Sequence, residues 1–136
     1  MITQTFLENL SFNVMGCILE VHRHLGPGLL ESVYHACLLE ELKLQKISIS
    51  DRPYVPIFYK NNFLGGKLQM DILVEDSLVI ELKSVEIMIP LYKAQLLSYL
   101  KLSGKHKGLL VNFNCELVKE QTYNLVTPSF FQLSKK

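Results

Sequence analysis

The chain has 136 residues, of which 49% are hydrophobic and 20% are charged, and its formal net charge is +1. This length predicts one domain over residues 1–136, and the near-neutral charge gives no general indication of nucleic-acid binding. No apolar run is long enough to span a bilayer, the first ten residues do not resemble a secretory signal, and three cysteines without zinc-ligand spacing favour a reduced cytoplasm.

Two amphipathic helices are predicted in the first third of the chain. Apolar positions at helical spacing indicate a first helix over residues 2–22. Two glycines and a proline in residues 25–28 then break the chain, and a second helix is predicted over residues 30–46. Glu31 falls in its first turn, where the helix dipole favours an acid, and Tyr34 lies on its apolar side. The histidines lack a convincing metal spacing and are predicted to be surface or cap residues: His22, His24 and His35.

The pattern changes to β structure after the second helix. Aromatic and β-branched residues over 47–59 predict a strand, and two prolines indicate that it lies at a sheet edge. Residues 60–62 predict a turn, and the glycines at residues 65–66 predict a bulge or a bend. Two further strands, 68–74 and 78–85, are predicted to form a hairpin around an acidic turn.

This last hairpin brings charged side chains together. Because side chains alternate along a strand, Glu81 and Lys83 share one face while Leu82 points to the core. Asp71 lies on the partner strand and comes beside Glu81 if the turn closes near Asp76. Two carboxylates, a lysine and the Leu82 carbonyl suit a hard divalent cation, which could activate water for phosphodiester hydrolysis. An acid and a lysine also occur on ordinary solvated sheet faces.

A third helix is predicted to begin at Pro90 and to end near Leu102. Gln95 and Tyr99 are one turn apart in this helix and therefore share a face. This pair could orient a water molecule or a phosphate, or it could be an ordinary surface pair. The apolar side of the helix is expected to contain a different set: Leu91, Ala94 and Leu97.

The remaining residues complete an α-α-β-β-β-α-β order. Residues 109–113 predict a buried strand, and residues 117–125 predict a further one. Five lysines against one acid, Glu86, form a modest basic patch between Lys83 and Lys107. The patch could attract phosphates, or it could be a solvated helix end followed by a lysine-rich turn. The order of elements predicts a compact α/β unit.

These separated blocks resemble the PD-(D/E)XK nuclease superfamily and, more closely, the small proteins called GxxExxxxY proteins. The resemblance implies a restriction-endonuclease-like αβββαβ core, a mixed sheet flanked by helices, with an extra N-terminal helix. Ala36 departs from the subfamily pattern, because it stands where a tyrosine is expected and the tyrosine is Tyr34. The matching blocks lie in order along almost the whole chain: residues 21–34, 40–42, 59–60, 71–75, 80–83, 95–101 and 108–113.

The resemblance implies roles for single residues. Asp71 and Glu81 resemble the metal-binding acids, and the Leu82 carbonyl resembles a further ligand. Lys83 resembles the lysine that positions the attacking water and offsets charge on the phosphate. Glu31 resembles the helix-borne acid that some branches add to the metal site.

Further implications concern the third helix, the substrate and the cofactor. Gln95 resembles the helix residue that accompanies the metal site in some branches, and substrate contacts are implied for Tyr34, Tyr99 and Lys101. The implied function is a Mg²⁺- or Mn²⁺-dependent nuclease acting on DNA, since oxygen ligands favour these ions over Zn²⁺. The chain is expected to be cytoplasmic and free of membrane segments, and a homodimer could extend its small basic cleft.

Two other interpretations remain open from the sequence. The same fold could bind nucleic acid or a protein partner without turnover, which agrees with the near-neutral charge and the lack of an obvious recognition helix. The carboxylates could also be purely structural, although an acid and a lysine would then share a central strand by chance. DNA cleavage that needs Mg²⁺ or Mn²⁺ distinguishes an enzyme from a binding module.

Overall fold

The computed structural model describes residues 1–136 and contains three α-helices, seven strands and two short 3₁₀ helices. The α-helices are α1 (Gln4–Leu25), α2 (Glu31–Leu44) and α3 (Pro90–Ser103). The strands are β1 (Ile49–Asp51), β2 (Tyr54–Tyr59), β3 (Asn62–Gln69), β4 (Ile72–Val74), β5 (Leu78–Lys83), β6 (Lys107–Asn112) and β7 (Thr122–Val126). The 3₁₀ helices are Val118–Gln121 and Pro128–Gln132.

The main sheet has five strands in the order β1-β4-β5-β6-β7. Strands β5 and β6 are parallel, and all other neighbours are antiparallel. A parallel pair needs a crossover connection, and α3 provides it between β5 and β6. The predicted mixed sheet flanked by helices is therefore confirmed, while β2 and β3 form a separate two-stranded hairpin.

Strand β5 lies at the centre of the fold and is covered on both faces. Leu78, Ile80 and Leu82 point into the larger core, which they share with α1 and α2. Val79 points the other way, into a second core with two leucines of α3. The charged side chains of β5 follow Val79 at alternate positions, so they lie on the face that α3 covers. They do not lie on an open, solvated sheet face.

The ends of the helices follow local sequence signals. The Thr3 hydroxyl accepts a hydrogen bond from the Phe6 amide at 3.0 Å and caps α1. Gly26 ends α1 at φ 66° and Gly104 ends α3 at φ 70°, in a region that glycine enters without strain. Pro90 occupies the first turn of α3, as predicted. Helix α1 continues almost one turn beyond its predicted end, and α2 ends two residues earlier than predicted.

Two predicted strands are each divided between two sheets, so the sequence-based interpretation of them was wrong. The first is interrupted at Arg52 and the second at Met70 and Asp71, so that β1 and β4 enter the main sheet without β2 and β3. The Arg52 amide donates to the Asp71 carbonyl at 2.9 Å, and the Met70 amide donates to the Pro53 carbonyl at 3.0 Å. The last predicted strand begins as a 3₁₀ helix, and only Thr122–Val126 is β structure.

The predicted turns and the predicted bulge are confirmed. Lys60 and Asn61 have φ values of 49° and 67° and form the two-residue loop between β2 and β3. Glu75 and Asp76 have φ values of 51° and 52° in the loop between β4 and β5. The β2–β3 register shifts next to Gly65, which has φ 92° and marks the bulge.

Two histidines are buried, which corrects the prediction that they are surface or cap residues. His22 Nε2 donates to the Cys115 carbonyl at 2.7 Å. His35 Nε2 lies 2.7 Å from Asp51 Oδ1, and the imidazole is buried while the carboxylate is half exposed. Because a polar partner satisfies each ring, burial carries no hydrogen-bonding penalty. His24 is exposed, as predicted.

The buried side of α3 differs from the predicted one. Leu96 and Leu100 are fully buried one turn apart, whereas Leu91 and Ala94 are exposed. The helix lies close to β6 at Gly108, where an added Cβ would stand 3.0 Å from a Leu96 methyl carbon. The side of α3 that packs against the sheet is the one that makes this close contact with β6, and the number of apolar residues on each side of the helix does not predict it.

None of the helices combines the length and the hydropathy that crossing a membrane requires. The three cysteines are unpaired thiols. Burial, with a contribution from the Glu41 carboxylate, raises the pKa of the Cys17 thiol to about 11, so this thiol is a core residue rather than a nucleophile.

Substituting Gly108→Ala is expected to destabilise the fold by about 1–3 kcal/mol, because the new methyl group overpacks the α3–β6 contact. The added Cβ would lie 3.1 Å from the Val79 carbonyl oxygen as well as 3.0 Å from Leu96 Cδ1. Gly16→Ala is the matched control: it lies inside α1 with no atom within 4 Å of an added Cβ, and it is expected to stabilise by up to about 1 kcal/mol. Urea unfolding measures both, and a neutral Gly108→Ala would contradict the packing described here.

Candidate active site

The Asp71 carboxylate is held at the point where β4 and β5 separate. The last cross-strand pair at this end joins Ile72 and Ile80, so the backbone of Leu82 has no partner in β4. Asp71 Oδ2 accepts a hydrogen bond from the Leu82 amide at 2.8 Å. In return, Glu81 Oε1 accepts a hydrogen bond from the Asp71 amide at 3.3 Å. These two reciprocal hydrogen bonds, called the Asp71–β5 clip below, set the two acids side by side.

Glu81 is half-buried beside a second acid, and this environment favours its protonated form. Desolvation, the negative charge of Asp71 and a side-chain hydrogen bond with Asp71 together raise the pKa of Glu81 from 4.5 to about 9. The Asp71 amide and the Lys83 ammonium oppose this rise without cancelling it. The two acids therefore hold a proton between them at neutral pH, and a cation that replaced this proton would relieve their repulsion.

Lys83 places a positive charge beside the acids. Its Nζ atom lies 4.5 Å from the centroid of the Tyr92 ring, within the range of a cation–π contact. The ammonium acts to lower the pKa values of both Glu81 and Glu31, so its field reaches the carboxylates of β5 and α2. The contact with the Tyr92 ring positions the amine, and its charge acts on the acids without a direct ion pair.

The Leu82 carbonyl faces the same side as the acid pair. In a strand, the amide and the carbonyl of one residue point toward the same neighbour. The Leu82 amide points to Asp71, whereas the Lys83 carbonyl accepts a bond from the Phe113 amide at 3.0 Å on the β6 side. The Leu82 carbonyl therefore points to the side of β5 that β4 leaves open, where its oxygen is free to act as a ligand.

Glu31 comes close enough to the site to respond to its charges. Burial first, and then the Asp71 carboxylate, raise the pKa of Glu31, while Lys83, His35 and Arg52 oppose the rise. The start of α2 thus faces the acid pair. Here Glu31 borders a shallow cavity of about 380 Å³ whose other lining residues are Leu30, Ser32, His35 and Arg52. A larger cavity of about 520 Å³ between α1 and the far end of α2 contains none of these groups.

The oxygen atoms at this site fit a small divalent cation through two acids rather than three. No group of three or more His, Cys, Asp or Glu side chains is placed to hold a metal ion, so Glu31 does not stand in a ligand cluster with Asp71 and Glu81. Mg²⁺ is commonly held by one or two carboxylates, with waters and substrate oxygens completing its octahedron. Two carboxylates and the Leu82 carbonyl, all hard oxygen donors, satisfy that requirement.

Gln95 and Tyr99 lie together on the face of α3 that meets the site. Gln95 Nε2 donates to the Tyr99 hydroxyl at 3.2 Å. Burial and then the negative charges of Glu81 and Asp71 raise the pKa of Tyr99, so the phenol lies within range of the charge of the acid pair. The expected pairing on one helix face is present, with Tyr99 turned toward the acids.

Tyr34 is a core residue, contrary to the substrate contact implied by the resemblance. Its side chain is fully buried and stacks on Phe113, with ring centroids 4.6 Å apart and planes inclined by 8°. Its hydroxyl donates to the Gly26 carbonyl at 2.5 Å and accepts from the Leu29 amide at 3.2 Å. With both faces and the hydroxyl occupied, Tyr34 holds the loop that precedes α2 and has no surface left for a substrate.

Lys101 lies in the last turn of α3, two residues after Tyr99. It borders a shallow cavity formed with the loop at Gly104 and with residues 127–129. Residues two positions apart in a helix point about 200° apart around its axis, so Lys101 does not share the helix face of Tyr99, and the substrate contact implied for it stays a prediction.

The structure adds a positioning residue that the sequence interpretation missed. Asn112, at the end of β6, is buried, and its side-chain carbonyl accepts hydrogen bonds from Val85 and Asn114 amides at 3.1 and 3.2 Å. Its amide nitrogen donates to the Val85 carbonyl at 2.9 Å. This clamp fixes the segment directly after Lys83. The available signal was an asparagine ending an otherwise apolar buried strand.

A mixed sheet between helices, with an acid and a lysine on its central strand and a second acid joined to that strand by hydrogen bonds, defines the class of restriction-endonuclease-like α/β proteins. The model of the PD-(D/E)XK nuclease superfamily matches residues 8–125, and the chain belongs to this superfamily. No curated protein and no solved structure gives a significant match to the chain.

The acid pair should make stability depend on pH in metal-free buffer. The pKa of Glu81 is raised from 4.5 to about 9 in the folded state, so its stabilising contribution is complete below pH 4.5 and is lost as pH rises toward 9. The free energy of unfolding of the wild type should therefore fall relative to Glu81→Gln across that window, by up to about 1.4 kcal/mol per pH unit. Urea titrations in EDTA at several pH values measure the difference.

The glutamine of the Glu81→Gln variant keeps a side-chain oxygen that can accept the Asp71 amide hydrogen bond. The comparison with the wild type therefore isolates the effect of the Glu81 charge. Glu86→Gln is the matched control, since Glu86 is exposed and should track the wild type at every pH. Wild-type and Glu81→Gln stabilities that run parallel from pH 5 to pH 9 would show that the acids do not share a proton.

Proposed function

We propose that this chain is a Mg²⁺- or Mn²⁺-dependent nuclease that hydrolyses phosphodiester bonds of DNA. The observation that carries the proposal is the Asp71–β5 clip, which joins two acids beside Lys83 at the end of the central strand. Membership of the PD-(D/E)XK nuclease superfamily supports the reaction class. Within that superfamily, the blocks around Glu31 and Asp71 favour the GxxExxxxY proteins.

Asp71, Glu81 and the Leu82 carbonyl would hold the cation. When bound, a divalent cation supplies Lewis-acid polarisation of a phosphoryl oxygen and lowers the pKa of a water molecule. The acids contribute the negative charge that makes the binding favourable, because their mutual repulsion already favours a positive partner. Displacement of the shared proton couples cation binding to pH.

Lys83 would stabilise the negative charge that develops on the phosphate during attack. An ammonium fixed beside a water-poor site acts far more strongly there than in bulk water. The contact with Tyr92 limits the orientations of the flexible lysine chain and keeps its Nζ atom near the acids. Lys83 also receives structural support from the Asn112 clamp on the residues that follow it.

Gln95, Tyr99 and Glu31 would orient groups around the scissile phosphate. The Gln95–Tyr99 hydrogen bond holds a phenol and an amide on the α3 side of the acids. The raised pKa of Tyr99 keeps its hydroxyl protonated as a donor for a phosphate oxygen. Glu31 faces the acids from α2 and can accept a hydrogen bond from a water that the other residues position.

Lys83→Ala is expected to lower DNA cleavage by about 100-fold or more, the usual loss when one preorganised electrostatic partner is removed. Nicking and degradation of plasmid and oligonucleotide DNA with Mg²⁺ or Mn²⁺ measure the effect, and EDTA should abolish cleavage. Lys43→Ala is the control, because Lys43 is exposed in the last turn of α2, far from Glu31.

Cleavage that survives in Lys83→Ala or in EDTA would show that the activity belongs to another site or to a contaminant. DNA retardation that needs no metal, weakens with salt and never leads to cleavage would instead identify a binding module on the same fold. Equal unfolding temperatures of the variants exclude misfolding as the cause of either result.

A further inference from the structure

The β2–β3 hairpin displays large aromatic side chains that the two cores do not use. Val55 and Leu68 anchor the hairpin to the core beneath α3. Four other ring-bearing side chains keep between 59% and 63% of their surface exposed: Tyr54, Phe58, Tyr59 and Phe63. A large exposed apolar surface of this kind usually marks an interaction site.

Contacts within the hairpin cover only part of the surface of these rings. Phe58 and Phe63 are cross-strand neighbours with ring centroids 5.2 Å apart and planes inclined by 48°, an arrangement that helps a two-stranded ribbon. Lys60 Nζ lies 5.5 Å from the centroid of the Tyr59 ring. Each ring thus meets a neighbour and still presents most of its surface to solvent.

The charge of the hairpin differs from that of the whole chain. Between Arg52 and Met70 there are three of the chain's 14 cationic residues and none of its 13 acidic residues. The cations are Arg52 at the base, Lys60 at the turn and Lys67 on β3. Cations interleaved with exposed rings are complementary to a ligand that has both negative charges and flat aromatic faces.

The base of the hairpin is continuous with the acid site. The Arg52 amide donates to the Asp71 carbonyl at 2.9 Å, and the Met70 amide donates to the Pro53 carbonyl at 3.0 Å. Gln69 Nε2 adds a bond to the Arg52 carbonyl at 3.0 Å. The backbone that carries the rings therefore leads directly into the Asp71–β5 clip.

We propose that the β2–β3 hairpin binds single-stranded nucleic acid and guides it to the acid site. Unstacked bases would stack on Phe58 and Phe63, which are paired across the strands and therefore share one face of the ribbon, while the lysines contact the phosphates, the pattern of sequence-tolerant single-strand binding. A duplex fits this surface less well because its bases already stack on each other. The guiding role rests on the proposed nuclease function, but strand binding does not.

The length of the hairpin sets the span of strand that it engages. Phe58 lies five residues beyond Pro53, and about 3.3 Å per strand residue gives roughly 17 Å from the base. Unstacked nucleotides are spaced more widely than the roughly 3.4 Å of a strand in a duplex, so this distance corresponds to fewer than about five nucleotides. Single-stranded tails shorter than this should lose the contribution of the outer rings.

Fluorescence anisotropy of a labelled oligothymidine in EDTA tests strand binding without cleavage. Phe58→Ala and Phe63→Ala should each weaken binding by about fivefold to 150-fold, the loss expected for one base stack. Phe58→Tyr should restore most of the affinity because it retains a stacking face. Phe131→Ala is the control, since Phe131 is a similarly exposed ring outside the hairpin. Unfolding temperatures establish that every variant folds.

Two further readouts separate this inference from the proposed nuclease activity. Oligothymidine binding that depends on the rings, with no cleavage of any DNA, supports the hairpin surface and contradicts the nuclease. Metal-dependent cleavage of single-stranded DNA at wild-type rates in Phe58→Ala, with unchanged affinity, supports the nuclease and overturns the hairpin proposal.

Two other outcomes would also overturn the strand-binding proposal. The first is duplex binding that is as tight as single-strand binding and insensitive to the rings. The second is a dimer, seen by sedimentation, that dissociates in Phe58→Ala while oligothymidine affinity stays constant. That result would assign the rings to contact with a second copy of the chain.

Discussion

The site depends on the exchange of hydrogen bonds between Asp71 and the central strand. Strand β4 pairs with β5 only as far as Ile72, and beyond that point the chain turns into the β2–β3 hairpin. Beyond this point the β5 backbone has no strand partner in β4, and the Asp71 carboxylate accepts the hydrogen bond of the Leu82 amide there. Because the same carboxylate lies beside Glu81, the hydrogen bond that satisfies the β5 backbone also brings the two acids together.

This arrangement places two negative groups together in a partly desolvated position, which disfavours the ionised state in the absence of a cation. The raised pKa of Glu81 records that conflict. The rest of the fold keeps the two acids together despite their repulsion, because the sheet is packed on both faces and Asn112 holds the segment after Lys83. A rigid framework with an electrostatically strained acid pair is suited to binding a positive ion.

The hairpin and the acid site share a backbone junction at Arg52 and Asp71. A strand bound along the hairpin would therefore approach the acids from a fixed direction. The α3 helix borders the same region, with Val55 packed beneath it and Tyr99 facing the acids. The exposed, basic hairpin and the half-buried acid pair are thus neighbouring parts of the molecule, although the chain as a whole is nearly neutral.

The sequence by itself determined the local features of this protein: the helix break at Gly26, the turn at Lys60 and Asn61, the start of α3, and the alternation that puts Glu81 and Lys83 on one face. These features depend on φ preferences and on periodicity, which act over a few residues. Only the tertiary structure decided that two predicted strands divide between sheets and that Tyr34 is enclosed by Phe113 and the α2 loop. Those outcomes depend on contacts between residues distant in sequence, and periodicity identifies a face without specifying what will cover it.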